Sequence, residues 1–115
     1  MRYVCDGKVG VIIHRGWGSG WSTGTQPEHR NILLFHPLLV EAVHKYHQQI
    51  CDLSQLYADI YFAFQMLGLD IKFLEGYRLE HLVVLWLDPG CEFLVQEYDG
   101  VETILKKEST NWIQA

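Results

Sequence analysis

Three groups of residues in this chain have the types and spacing to do chemistry. The first is Gly16-Trp17-Gly18-Ser19-Gly20-Trp21-Ser22-Thr23-Gly24-Thr25, reached directly from the apolar run Val9-Gly10-Val11-Ile12-Ile13. Alternating glycines let a backbone approach a partner closely, two indoles supply large rigid contact surfaces, and four hydroxyls lie at or just beyond the turn. The second is the acidic trio Glu97, Asp99 and Glu102, grouped about the turn pair Asp99-Gly100. The third is Glu41, His44, His47 and Cys51, at helical steps that put both imidazoles and the thiol toward one side of a helix.

The glycine-tryptophan loop reads as a binding surface. Its amides form a nest able to hold an anion, and its tryptophans suit a hot spot for a protein partner. The plainer reading has Trp17 and Trp21 closing the core from a structural loop, because tryptophan is buried on average. The spacing G-x-G-x-G puts Trp21 where a dinucleotide-binding loop carries its last glycine, and no Gly-Lys precedes Ser22-Thr23. Neither Ser19 nor Ser22 sits in a G-x-S-x-G elbow. The Rossmann, Walker and serine-hydrolase readings therefore fall away.

A two-residue turn at Asp99-Gly100 sets Glu97 directly opposite Glu102. Such a like-charge pair costs stability unless a cation, a basic partner group or a shared proton offsets it, and splaying into water is the plainer outcome. His44 and His47 lack the H-E-x-x-H arrangement, which puts a metal site with Cys51 last among the readings. His14, His29, His36 and His81 show no ligand spacing with one another. No catalytic residue, metal or cofactor is assigned, and the chain is read as a binder rather than an enzyme. The expected partner- or ligand-binding set is Trp17, Gly18, Ser19, Gly20, Trp21, Ser22, Thr23, Glu97, Asp99 and Glu102.

The elements that must position these groups follow from patterning. A chain of 115 residues suits a single domain, 1–115, with one core. Hydrophobic residues at 49% and aromatics at 13% exclude a disordered chain and leave apolar surface for a homo-oligomer. A net charge of -5 with thinly spread lysine and arginine provides no phosphate-tracking patch, so nucleic acid is excluded as a partner. Cys5, Cys51 and Cys91, widely spaced and odd in number, read as reduced thiols of a cytoplasmic protein. No apolar run reaches membrane-spanning length, and no membrane partner is expected.

Lys8 to His14 is β-branched and nearly continuously apolar, which predicts a strand covered on both faces. From Pro37 the period turns helical, with Leu39, Val43, Tyr46, Ile50 and Leu53 on one stripe and Leu56, Ile60, Ala63, Phe64 and Leu67 on a second. Two helices are expected, parted near Asp52-Leu53-Ser54-Gln55 and stopped at Gly68. His81 to Leu87, Cys91 to Tyr98 and Val101 to Lys106 then predict a three-stranded meander, in which Tyr98 faces Val101, Val95 faces Ile104 and Leu94 faces Leu105. The closing Trp112 and Ile113 are expected to dock on the sheet. The resulting fold class is α+β: an antiparallel β-sheet of the N-terminal strand plus the C-terminal meander, with two helices packed on one face.

The loop Gly16 to Thr23, the hairpin Glu97-Tyr98-Asp99-Gly100-Val101-Glu102 and the ending Asn111-Trp112-Ile113-Gln114-Ala115 resemble small, uncharacterised proteins of bacteriophages and prophages. No activity comes with the resemblance. It implies a phage accessory protein in the host cytoplasm that acts by binding, with inhibition of a host defence protein as the expected role. The alternative expectation is a protein that binds or sequesters a small ligand, a nucleotide or signalling molecule, between the loop and the acidic hairpin.

Overall fold

The computed structural model describes residues 2–107. The docking expected of Trp112 and Ile113 lies outside the described residues. Strands β1 (Val4–Cys5) and β2 (Lys8–His14) meet at Asp6-Gly7, whose φ angles of 52° and 76° make the mirror-image turn that suits a right-twisted hairpin. On its other edge β2 pairs antiparallel with β3 (Leu82–Leu87), from Val9 opposite Leu87 to His14 opposite Leu82. Strands β4 (Phe93–Tyr98) and β5 (Val101–Lys106) form a second, separate sheet of two.

The α+β class with antiparallel sheets is therefore the observed one, but the C-terminal meander is not continuous. The turn at Asp88-Pro89-Gly90, closed by the Cys91 amide donating to the Asp88 carbonyl at 3.0 Å, carries the chain out of one sheet into the other. Apolar content explains the choice. Val83, Val84 and Leu85 oppose Ile13, Ile12 and Val11, so two strands apolar on both faces find each other, whereas β4 alternates and closes with β5 alone. The hairpin register is the expected one: Tyr98 opposite Val101, Glu97 opposite Glu102, Val95 opposite Ile104 and Leu94 opposite Leu105.

Three α-helices connect β2 to β3. The expected pair is present as α2 (Pro37–His47) and α3 (Leu53–Met66), preceded by a short α1 (Arg30–Phe35) that sequence patterning does not reveal. Pro37 accounts for the break between α1 and α2, since the residue before a proline is pushed from helical to extended backbone, and His36 sits at φ -61°, ψ 129°. His36 then caps α2, its Nδ1 accepting from the Leu38 amide at 3.2 Å. Asp52 caps α3 through the Gln55 amide at 2.9 Å, and Gly68 at φ 71° ends it with Leu69 N–H donating to the Phe64 carbonyl at 2.9 Å. Because α2 stops at His47, the expected stripe residues Ile50 and Leu53 fall outside it and stay exposed.

Ile12, α2 and α3 supply the larger core cluster together with Trp21, while Val11, Leu34 and Leu87 join Phe93, Val95 and Ile104 of the hairpin in a smaller one. Alternation along β2 thus sends one face to the helices and the other to the hairpin. The strand covered on both faces is observed, and its C-terminal end, His14, emerges where the hairpin tip, the glycine-tryptophan loop and the start of β3 meet.

Candidate functional site

Strand alternation puts Glu97, Glu102, Val95 and Ile104 on the inner face of the hairpin, and the turn brings Glu102 under the glycine-tryptophan loop. Its carboxylate is 0% exposed. Oε1 accepts the His14 amide at 2.9 Å, and Oε2 accepts the Thr23 amide at 3.1 Å and the Thr23 hydroxyl at 2.6 Å. Three donors to one carboxylate replace the water it leaves behind. Glu97 remains exposed and accepts the Gly100 amide at 2.8 Å. The like-charge pair is thus resolved by giving each carboxylate its own protein donors.

The hairpin tip holds the loop from below as well. The Asp99 carbonyl accepts the Gly18 amide at 2.9 Å, and the turn has positive φ at both Asp99 (51°) and Gly100 (89°). A β-carbon at Gly100 would overlap the backbone of Gly18, so only glycine lets the two segments touch. Farther along, the Tyr77 hydroxyl donates to the Gly20 carbonyl. Burial first, and the nearby charge of Glu102 second, push the Tyr77 hydroxyl up to about 12, which keeps it a neutral donor.

This clamping divides the ten expected contact residues. Trp17 is 78% exposed and lies with Gly18 and Ser19 on the molecular surface, as a contact site requires. Trp21 corrects the expectation: it is 0% exposed, its Nε1 donates to the Leu33 carbonyl at 2.9 Å, and Phe64, Phe73 and Tyr77 surround its ring. Ser22 and Gly20 are buried beside it. An indole two residues before the polar anchor Thr23 faces the core, where an apolar ring is more stable than in water. Thr23 and Glu102 are spent on each other and are not free to hold a ligand. Glu97 and Asp99 are exposed at the tip.

Beside Trp17 opens a cavity of about 560 Å³ lined by His14, Trp17, Gly18, Ser19, Glu75, Gly76, Tyr77, Arg78 and His81. His14 is only 2% exposed. Its Nδ1 lies 3.4 Å from the Gly100 carbonyl, and its Nε2 is a buried nitrogen without a hydrogen-bond partner. Tyr77 stands edge-on to the His14 ring at 5.3 Å, and the His81 ring is 5.9 Å away. Spacing along the chain hides this pair of imidazoles. The signal that reveals it is the pairing of β2 with β3, because His14 opposite Leu82 makes His81 a neighbour.

The third group does not assemble. The His44 ring packs on Trp86 at 4.9 Å, the His47 Nε2–H donates to the Leu82 carbonyl at 2.6 Å, and Glu41 pairs with Lys45 at 3.2 Å. Cys51 lies beyond the end of α2, with its thiol held above the usual range by desolvation and then by the charges of Asp59 and Asp52. Among the described residues no group of three His, Cys, Asp or Glu is placed to hold a metal ion. Nor does any helix among them have the length and apolar character to cross a membrane.

The cavity beside Trp17 presents groups suited to recognition. It offers an exposed indole, the Ser19 hydroxyl, the Arg78 guanidinium, the Glu75 carboxylate and two imidazoles. The Ser19 hydroxyl has no hydrogen bond to a base among the described residues. The chain matches no family model, no curated protein and no solved structure.

Proposed function

We propose that this protein acts by binding, through Trp17 and the cavity it walls, and that it is a phage-type accessory protein whose partner is a host protein. The observation that carries the binding reading is the exposed Trp17 indole on a clamped loop. Ordering a flexible loop opposes association, whereas a loop already fixed by Glu102, Asp99 and Tyr77 presents its indole without that cost. Tryptophan is also the side chain most often found at the energetic centre of an interface. The phage-type and host-partner parts of the proposal rest on the likeness of the loop and hairpin residues, and a cytoplasmic location belongs with them. Self-association is part of the same proposal and draws support from exposed Leu94, Tyr98 and Leu105 on the outer face of the hairpin.

The test is Trp17→Ala. The variant is expected to unfold at the temperature of the parent, since the side chain packs little, and to bind a partner purified from the bacterial host at least about tenfold more weakly. A folded variant that keeps full affinity overturns the proposal. A second reading, recognition of a small ligand, is favoured by the cavity of about 560 Å³ and the unpartnered His14 Nε2.

A further inference from the structure

We infer that the cavity beside Trp17 takes a planar ring that carries one anionic group and hydroxyl or amino donors, the chemistry of a nucleoside monophosphate. The inference rests on the small-ligand reading and names the ligand class for it. Size is the first support, because a cavity of about 560 Å³ falls within the range that encloses a ligand of that kind. Trp17 supplies the ring platform: its indole is exposed at the cavity wall, and stacking on an aromatic face tolerates any heteroaromatic base.

Arg78 and Ser19 supply the anion contacts. The Arg78 guanidinium lines the cavity, is exposed, and makes no ion pair or side-chain hydrogen bond among the described residues. Its planar fork matches the oxygens of a phosphate. The Ser19 hydroxyl adds a single donor to the same wall.

His14 demands something different from the ligand. Its Nε2 is buried without a hydrogen-bond partner, and an unpaired buried polar atom is costly. A ligand hydroxyl or amino group would satisfy it only by reaching past the side chains that now cover it. Glu75, on the same lining, accepts donors as well. Ring, single anion and donors must therefore arrive on one molecule, and neither inorganic phosphate nor an uncharged aromatic meets all three requirements.

The experiment is calorimetric titration of the full chain with the four common nucleoside 5′-monophosphates, their parent nucleosides and inorganic phosphate, repeated with Arg78→Ala and Trp17→Ala. Both side chains are exposed, so both variants are expected to fold, and matching thermal unfolding curves establish this. At least one monophosphate should bind about tenfold or more tightly than its nucleoside and than phosphate. Arg78→Ala should abolish that advantage while leaving nucleoside binding unchanged, and Trp17→Ala should weaken nucleoside and nucleotide alike. A nucleotide that binds no better than its nucleoside, or one indifferent to Arg78→Ala, overturns the inference.

Native mass spectrometry of the same preparation separates the two levels of failure. If no probe binds, yet a small molecule leaves the parent protein on unfolding and is missing from Trp17→Ala, the ligand site stands and the anionic class is overturned. If no probe binds and no mass is released, the small-ligand reading falls together with the inference.

Discussion

Glu102→Gln tests the physical centre of this architecture. The substitution keeps the size of the side chain and removes its charge. In the parent, Oε1 meets the His14 amide and Oε2 meets both the amide and the hydroxyl of Thr23. A glutamine has one acceptor oxygen and one NH2 group, so it cannot serve both sides. With the oxygen toward His14, the NH2 points at the Thr23 amide, donor against donor, and only the Thr23 hydroxyl can rotate to accept. With the oxygen toward Thr23, the His14 amide faces the NH2 instead. Either way one buried backbone N–H loses its partner, at about 1–3 kcal/mol, and the surviving bonds fall from charge-assisted to neutral strength. The expected total is about 2–4 kcal/mol of lost stability. At a urea dependence of about 1.5 kcal/mol/M for a domain of this size, the unfolding midpoint falls by about 1.3–2.7 M. Amide exchange at His14 and Thr23 should rise more than at the centre of the β2–β3 ladder. A midpoint within about 0.3 M of the parent refutes the reasoning, and a higher midpoint shows that desolvating the carboxylate outweighs its three bonds.

The two loop tryptophans should behave oppositely: Trp21→Ala costs about 3–5 kcal/mol in urea unfolding, because a ring that is 0% exposed is removed and the Leu33 carbonyl loses its donor, whereas Trp17→Ala stays within about 0.5 kcal/mol. An absorbance titration should show one tyrosine ionising only near pH 12, and Tyr77→Phe should remove it. Because the folded-state value lies above the ordinary 10.0, the contribution of Tyr77 is whole below pH 10 and is lost as pH climbs toward 12, so the Phe variant should show a shallower alkaline fall in stability. Asp88, held below its ordinary 3.8 by the hydrogen bond from Lys8 at 2.8 Å, has the opposite sign: any stability difference between parent and Asp88→Asn should be present at neutral pH, vanish as pH falls below 3.8, and shrink in salt.

Elements set by local chemistry are legible in the chain alone. Asp99-Gly100 imposes a two-residue turn, and once the turn is placed every cross-strand pair follows, including the Glu97–Glu102 opposition. Asp52 and Gly68 mark the start and stop of α3 in the same local way. The partner of β3 is not legible locally. Both β2 and β4 are available to it, and the choice depends on how much apolar surface each pairing buries across a separation of some seventy residues. The error carries forward to the site, since pairing β3 with β2 is what places His81 beside His14. The short helix α1 escapes for another reason: six residues are too few to show a helical period, and its stability comes from burying Leu33 and Leu34 rather than from its own pattern.

The acidic residues show why composition at a turn does not reveal exposure. Glu97 and Glu102 are the same side chain at paired positions of one hairpin, yet one is exposed and the other is sealed beneath the loop. The difference lies in the donors within reach. Glu102 meets the end of β2 and the Thr23 turn, each of which presents a backbone N–H, and its carboxylate satisfies both of them and the Thr23 hydroxyl at once. The charge that looks available for a cation or a ligand is therefore consumed in fixing the loop. What the fixed loop leaves over is the exposed Trp17 indole, beside a cavity that the buried His14 also lines. The exposed indole beside the cavity, rather than the acidic hairpin tip, is the group left free for a contact, and the proposed binding rests on it.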